Sequence, residues 1–277
     1  MIRKLFSFVL ALALLWAIPL PVRAEEPESI HPELLIPALK TFFAGAEGDY
    51  TAVNPSDNGA LSVGLLQWHG RRALELVRRA AASDPDAALK YLGRDLYEEV
   101  QQPGTTWDRR TLTPGEGAAV SALLGSEAGR RAQDDLAAAD ITVYIDAARR
   151  AGMRTDATVF YYAVIYNQFG VGGAGTYLGH IRAVLGVGEK AVFYDLDQLH
   201  AAVHAVKSYG TAHLGQRDKA YAFVISLGWW SPRETGGAPG APVPGAPPEG
   251  AGESAPSSHG RLQLCCVRQE RVHHLPA

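Results

Sequence analysis

Residues 43–68 read FAGAEGDYTAVNPSDNGALSVGLLQW, and they join the end of a helix to a short β-rich segment. Apolar residues recur at three-to-four spacing up to Phe43, which predicts an amphipathic helix over 33–46. Glycines on both sides of Glu47 then allow the chain to leave the helix. From 49 to 67, β-branched and aromatic residues alternate with turn signals such as Asp-Asn-Gly, a pattern typical of a small irregular hairpin.

Helical patterns resume on the C-terminal side of the hairpin. Apolar periodicity, helix-start signals and a glycine beyond a helix end predict eight further helices. These are 70–82, 85–100, 115–124, 126–150, 156–168, 174–185, 196–209 and 216–228. No period of about 20–50 residues repeats, so a solenoid is not supported. We therefore predict an α+β fold, mostly α, in which a helical domain carries a small β-hairpin lobe.

The N-terminus has the pattern of an export signal. Arg3 and Lys4 precede an apolar run, and residues 22–24 end it with a small-residue cleavage site. That run is short for a membrane span, which takes about 20 apolar residues, and no later segment is long and apolar enough. We expect residues 1–24 to be removed and the protein to be secreted or periplasmic, in the cell envelope, with no stable membrane span.

The C-terminal part has a different composition. From Ser231, prolines are interleaved with Gly, Ala and Ser, and large apolar residues almost vanish. Such a segment cannot bury enough surface to offset the entropy of ordering. We therefore predict a folded catalytic domain over 25–230 and a Pro/Gly-rich disordered tail over 231–277.

The only two cysteines, Cys265 and Cys266, are adjacent in that tail. Neighbouring α-carbons are about 3.8 Å apart, which is shorter than the usual disulfide span, so a bridge within the pair is not expected. The core therefore folds without disulfides. This suits a bacterial exported enzyme better than a disulfide-stapled module.

Charge excludes some partners. The chain has 26 basic and 29 acidic residues, and loss of residues 1–24 leaves 23 basic against 29 acidic, a net charge of −6. An acidic protein is a poor nucleic-acid binder, and we expect a monomer. The His200 and His204 pair has no surrounding HExxH and no evident third ligand, so no metal site and no cofactor are predicted.

Glu47 and Asp57 are the candidate catalytic residues. An acid at the end of a buried helix loses solvation in its charged form, which raises its pKa and suits a general acid. Asp57 lies in a turn rich in backbone donors, where an ionised carboxylate is better solvated. Two carboxylates in unlike environments are what glycosidic bond cleavage requires.

Further polar residues follow on the hairpin. The Ser62 hydroxyl is a candidate for holding the attacking water, and Tyr50 and Gln67 are candidate sugar contacts. Each has a plainer structural alternative, since Asp-Asn-Gly is a common surface turn and a lone Glu after a helix is often only solvated.

This segment resembles the active-site hairpin of phage-type lysozymes. There a catalytic Glu-Gly is followed by an Asp, a Gly and a Thr-Ile-Gly, matched here by Glu47-Gly48, Asp57, Gly59 and Ser62-Val-Gly64. A Ser replaces the Thr, and Asp57 lies one position off. The run from Gly64 to Gln67 is also similar to the Gly-Leu-Met-Gln element of lytic transglycosylases. The lysozyme-like superfamily implies a helical domain, a small β-hairpin lobe and a glycan cleft between them.

A second cluster resembles the distal helices that close the cleft in bacterial lysozyme-like wall hydrolases. Its candidate substrate contacts are Gln133, Tyr166, Asn167 and Gln168. Sugar rings pack on aromatic faces, and amides hydrogen-bond hydroxyl and N-acetyl groups. The alternative is structural, since the neighbouring aromatic residues also have helical core spacing and Gln133 suits a cap or a packed position.

Together these patterns predict an exported glycoside hydrolase that cleaves β-1,4 linkages of peptidoglycan, or of a related amino-sugar polymer, by acid catalysis from Glu47. A chitosanase with an acid-lined groove is one alternative, and a lytic transglycosylase, for which Asp57 is dispensable, is another. A non-catalytic glycan-binding domain is the alternative outside enzymes.

Overall fold

The computed structural model describes residues 30–206 and 214–232. The predicted export signal and all of the tail after Pro232, including both cysteines, lie outside these residues. In the described part the elements follow in the order α1 (Pro32–Ala46), β1 (Val53–Asp57), β2 (Ala60–Val63), β3 (Trp68–His69), α2 (Arg71–Ser83), α3 (Pro85–Gln101), α4 (Pro114–Gly125), α5 (Glu127–Arg150), α6 (Asp156–Leu185), α7 (Leu196–Ala205) and α8 (Leu214–Ser226). The predicted fold class, mostly helical with a small antiparallel sheet, is confirmed.

The sheet contains a hairpin and one strand that was not predicted. β1 and β2 pair antiparallel, with Asn54 opposite Ser62 and an irregularity before Asp57. Asn58 (φ 49°) and Gly59 (φ 88°) form the turn in the left-handed region, as a tight hairpin connection requires. β3 adds to β2, with Ser62 opposite His69. A two-residue strand is too short to leave a periodic signal in the sequence.

α5 is the central helix, and it packs against α1, α2, α4 and α6. It begins at the cap residue Ser126, whose hydroxyl accepts a hydrogen bond from the Gly129 backbone N–H at 3.1 Å. Gly129 lies so close to α4 that a Cβ there would be 2.2 Å from the Leu123 carbonyl oxygen. The close α4–α5 contact therefore depends on the missing side chain.

α6 was predicted as two helices, 156–168 and 174–185, and the structure joins them. The only interruption is Gly170, whose φ of 64° and ψ of −174° are not helical. A glycine adopts this conformation without the steric cost that other residues incur. The predicted break is thus real, but it occupies one residue instead of five.

Most of the other predicted helices agree closely with the structure at both ends. The exception is 196–209, since α7 ends at Ala205, and Val206 is extended at its C-terminus. Residues 207–209 of that prediction lie outside the described ranges. Within the part of the chain that the structure covers, no helix is long and apolar enough to cross a membrane.

α8 closes the helical domain by packing on α6. The buried Arg217 guanidinium lies over the rings of Phe169 and Tyr177, at 5.1 and 4.7 Å from their centroids, and donates to the Tyr177 hydroxyl at 2.9 Å. Just beyond the helix, Trp229 meets Phe160 edge-on at 6.1 Å. These contacts fix α8 against α6 on both sides of the Gly170 break.

Candidate active site

Glu47 lies at the C-terminal end of α1, where the helix stops. Its backbone N–H still donates to the Phe43 carbonyl at 2.8 Å, and its φ and ψ remain helical. The side chain is half-buried. It therefore keeps some access to solvent while most of its surroundings are protein.

Two amide side chains hold one oxygen of the Glu47 carboxyl. Asn167 donates from Nδ2 to Oε1 at 3.3 Å, and Gln216 donates from Nε2 to the same oxygen. Within the described residues, Oε2 has no hydrogen bond. The carboxyl is thus fixed by one oxygen, and the other is left for a proton that can be donated.

Burial and these two hydrogen bonds act in opposite directions on the pKa of Glu47. Burial raises the pKa of Glu47, and the hydrogen bonds from Gln216 and Asn167 lower it, but the balance leaves the pKa above its usual value. Desolvation is the dominant cause because it penalises the charged form. The carboxyl therefore keeps its proton to a higher pH than an exposed glutamate does.

Gln216 is the contact that sequence patterns missed. It lies on α8, 169 residues from Glu47, and it accepts from Gln168 Nε2 while donating to Glu47. Gln168 is buried, and its hydrogen bond to Gln216 links it indirectly to Glu47. The sequence placed α8 as a helix but contained no signal for which face meets α1.

Asp57 and Ser62 are brought together at the tip of the hairpin. Ser62 Oγ donates to Asp57 Oδ2 at 2.7 Å, and both residues are buried, Ser62 completely. The predicted solvated position of Asp57 is therefore wrong, because its carboxyl turns inward to the Ser62 hydroxyl on β2. His69 Nε2 lies 2.8 Å from the Asp57 carbonyl oxygen. The Ser62 hydroxyl therefore orients Asp57, which differs from its predicted role of holding the attacking water.

Gln133 occupies the core, which differs from its predicted place in the cleft wall. Its Oε1 accepts from the Leu65 backbone N–H at 3.0 Å, and its Nε2 donates to the carbonyls of Tyr50, Leu124 and Gly129 at 3.0 to 3.3 Å. The side chain has no exposed surface. We correct its role to that of an anchor that ties the hairpin lobe to α5.

Gln67 lies at the base of the hairpin, close to the backbone that follows Glu47. Its φ of 50° is unusual for a residue with a side chain, and its Nε2 donates to the Gly64 carbonyl at 3.0 Å. A Cβ at Gly48 would be 2.9 Å from that nitrogen. Gln67 is half-buried, so its role as a sugar contact stays a prediction.

Tyr50 lies in a polar network between the hairpin and α5. Its hydroxyl donates to Asp134 Oδ1 at 2.6 Å, and Lys40 Nζ lies 3.0 Å from the same oxygen. Arg130 stacks over the Tyr50 ring at 5.3 Å. Burial and the Asp134 carboxylate raise the pKa of Tyr50 to about 12, so this hydroxyl remains protonated at neutral pH.

Tyr166 is half-exposed one residue before Asn167, and its ring lies 5.4 Å from that of Tyr144. Burial raises the pKa of Tyr166, and the positive charge of Arg150 opposes that effect. Arg150 belongs to an open depression at the end of α5, lined by Asp146, Arg149, Arg150 and Arg154. This charge patch is therefore an electrostatic neighbour of Tyr166.

One group in the described part of the chain has the donor atoms of a metal site. His200, His204 and Asp218 place their ligand atoms within 4.8 Å of one another. The sequence pattern shows no third ligand for the histidine pair, because Asp218 comes from a different helix. The absence of a metal site therefore does not follow from the sequence pattern.

Comparisons with known proteins add little to this geometry. No protein-family model matches the chain, and neither does any curated protein. A solved structure described as "Chitosanase complex structure" is similar with a TM-score of 0.47 and 18% sequence identity, over 72% of this chain and 90% of that chain. A likeness of this degree supports no conclusion about chemistry, so the function must be inferred from the site itself.

Proposed function

We propose that this protein is a glycoside hydrolase in which Glu47 is the general acid. The observation that supports this most directly is the Glu47 carboxyl itself, which is half-buried, has a raised pKa and is held through one oxygen by Asn167 and Gln216. A general acid must reach the substrate with its proton and in a fixed orientation. The raised pKa supports the first requirement, and the two hydrogen bonds to one oxygen support the second.

Asp57 supplies the second carboxyl in this proposal. It stabilises the oxocarbenium-like centre or activates water, while Ser62 holds it by the 2.7 Å hydrogen bond. Ser62 is thus a positioning residue. Burial against a hydroxyl donor gives Asp57 an environment unlike that of Glu47, which is how two carboxyls come to serve different roles.

The proposed substrate is peptidoglycan. Its stem peptides carry carboxylates, and the arginine-rich depression beside Tyr166 offers a complementary charge. The chitosan alternative is supported by a different observation, the net charge of −6 expected after loss of the signal, because chitosan is a polycation. We favour peptidoglycan because Arg150, one of the arginines of this depression, acts electrostatically on Tyr166, next to Asn167, whereas net charge is a property of the whole chain.

The first prediction tests whether Glu47 is the general acid. Purified sacculi are digested with the wild-type protein and with Glu47→Gln, and the release of soluble fragments is followed. Glutamine keeps the size and hydrogen-bonding capacity of the side chain but cannot donate a proton, so we expect a loss of about 10² to 10⁴-fold in rate. Thermal unfolding of both proteins checks that the fold is retained.

Glu33→Gln is the matched control, since Glu33 is an exposed acid in the first turn of the same helix. It should digest sacculi at the wild-type rate. If Glu47→Gln stays fully active, the acid assignment is wrong and a glycan-binding role becomes the better explanation. Mass spectrometry of the fragments separates hydrolysis from transglycosylation, because anhydro-ended products would identify a transglycosylase.

A further inference from the structure

Two histidines of α7 and one aspartate of α8 face each other on the far helices of the domain. His204 Nε2 lies 2.7 Å from Asp218 Oδ1, and His200 Nε2 lies 3.6 Å from the same oxygen. All three ligand atoms fall within 4.8 Å. Two neutral imidazole nitrogens and a carboxylate oxygen are a common donor set for Zn²⁺ and similar divalent ions.

The arrangement follows from the helical repeat. His200 and His204 are four residues apart on α7, so their side chains share one face, and their ring centroids are 4.6 Å apart. Asp218 approaches that face from α8, which packs beside α7. No sequence motif joins these residues, and only the packing of the two helices brings the third donor to the pair.

His200 is held in a defined orientation by residues that are not ligands. Its Nδ1 lies 2.8 Å from the Tyr161 hydroxyl, so Nε2 is the nitrogen directed at Asp218. The Tyr221 ring stacks on the imidazole at 4.2 Å with 14° between the planes. A partner that orients the ring through its other nitrogen is characteristic of histidine metal ligands, and Nε2 is free to bind an ion when Nδ1–H donates to the Tyr161 hydroxyl.

We propose that His200 Nε2, His204 Nε2 and Asp218 Oδ1 form a binding site for a divalent transition metal ion of the Zn²⁺ type, with water completing the coordination. Binding replaces the hydrogen bond between His204 and Asp218, and any proton shared by that pair leaves to solvent. Imidazole donors favour Zn²⁺ over Ca²⁺ or Mg²⁺, which prefer oxygen ligands alone. The site is independent of the proposed glycosidase activity.

Such an ion would join α7 to α8 through ligands from both helices. Asp218 is two residues from Gln216, which contacts Glu47, and next to Arg217, which packs on α6. A ligand that binds the folded state alone stabilises it by mass action. The expected consequence is therefore a metal-dependent rise in thermal stability.

The test uses the full chain without a polyhistidine tag. Five further donors in the tail could bind metal independently, so they are replaced in the background protein by Cys265→Ser, Cys266→Ser, His259→Gln, His273→Gln and His274→Gln. Equilibrium dialysis with Zn²⁺ should give one bound equivalent. Co²⁺ as a spectroscopic probe should give the visible absorption of nitrogen and oxygen ligation without a thiolate band, and Zn²⁺ should raise the unfolding temperature.

Asp218→Asn and His204→Gln, made separately in that background, should each weaken Zn²⁺ binding at least tenfold and remove the temperature shift. His180→Gln is the control, since His180 is an exposed histidine on α6 and should leave binding unchanged. The unfolding temperature of each variant without metal shows whether it folds. The proposal is overturned if the background protein binds no Zn²⁺, or if folded Asp218→Asn and His204→Gln both bind as tightly as the background.

Discussion

At the scale of single residues, Glu47 illustrates how far a local motif reaches. Its position at the end of an apolar helix was enough to predict a raised pKa, and burial does raise it. The opposing donors, Asn167 and Gln216, come from helices distant in the sequence. A motif can therefore point to a candidate acid, but the residues that shift its pKa are determined by tertiary packing.

The second prediction concerns this tuning. Gln216→Leu removes a hydrogen bond that lowers the pKa of Glu47, so the pKa should rise further. A general acid is active when protonated, and activity is lost as the pH rises through its pKa. The alkaline limb of the profile of kcat/KM against pH should therefore move to higher pH.

Gln198→Leu provides the comparison, because Gln198 is an exposed glutamine on the neighbouring helix α7. Its alkaline limb should coincide with that of the wild type. A limb that stays in place in Gln216→Leu, or that moves to lower pH, would show that this limb does not report Glu47. The measurement depends on the position of the limb and not on the height of the profile.

The third prediction concerns the positioning of Asp57. Ser62→Ala removes a side-chain donor to Asp57 and leaves a buried carboxyl oxygen without that hydrogen bond. We expect a loss of about 1–3 kcal/mol in the free energy of unfolding, measured by urea denaturation, and slower turnover of sacculi. Ser56→Ala, at an exposed position of β1, should change neither. Equal effects of the two substitutions would contradict a specific role for the Ser62 hydroxyl.

At the scale of elements, the helices and the hairpin were predictable because each has its own periodicity or turn chemistry. The role of Gln133 was not predictable from the sequence, because an amide side chain on a helix face is equally consistent with a surface contact and with a buried position. Its four bonds to backbone groups become visible only when the hairpin lies on α5. Buried polar groups of this kind are almost always satisfied, which explains why a core position can hold a glutamine.

The fourth prediction uses two glycines of α6 that differ in backbone conformation. Gly170 has a φ of 64° and a ψ of −174°, whereas Gly172 is an exposed helical residue at which an added Cβ would have nothing within 4 Å. Gly170→Ala should destabilise the protein by about 1–3 kcal/mol because a Cβ is strained there. Gly172→Ala should stabilise it by up to about 1 kcal/mol through helix propensity.

Urea denaturation of the two variants gives the comparison. Opposite signs would establish that the break at Gly170 is present in solution, and a stabilising Gly170→Ala would mean that α6 runs through as a regular helix. The break also matters for the site, because Asn167 lies in the last turn before it. Gly170→Ala should therefore slow sacculus digestion as well, whereas Gly172→Ala should not.

At the scale of the whole molecule, total charge and local charge favour different substrates. The composition predicted an acidic protein that suits a polycation such as chitosan better than it suits nucleic acid. The structure adds that Arg149, Arg150 and Arg154 gather at one depression, with Arg150 acting on Tyr166. Composition cannot reveal such a local reversal of sign, since it averages over the surface.

The last prediction separates these two interpretations of charge. Replacing Arg150 with glutamate reverses one charge beside Tyr166, so an anionic glycan should bind less well and a cationic one better. Exposed charges contribute up to about 1 kcal/mol, or roughly fivefold in affinity. KM for soluble peptidoglycan fragments should rise by about that factor, kcat should change little, and the effect should shrink at high salt because exposed charges are screened.

Arg94→Glu is the matched control, since the Arg94 side chain is 80% exposed and pairs with Glu98 on its own helix. If Arg150→Glu instead weakens turnover of chitosan and leaves peptidoglycan fragments unaffected, the arginine depression does not select the substrate, and the argument for peptidoglycan loses its support.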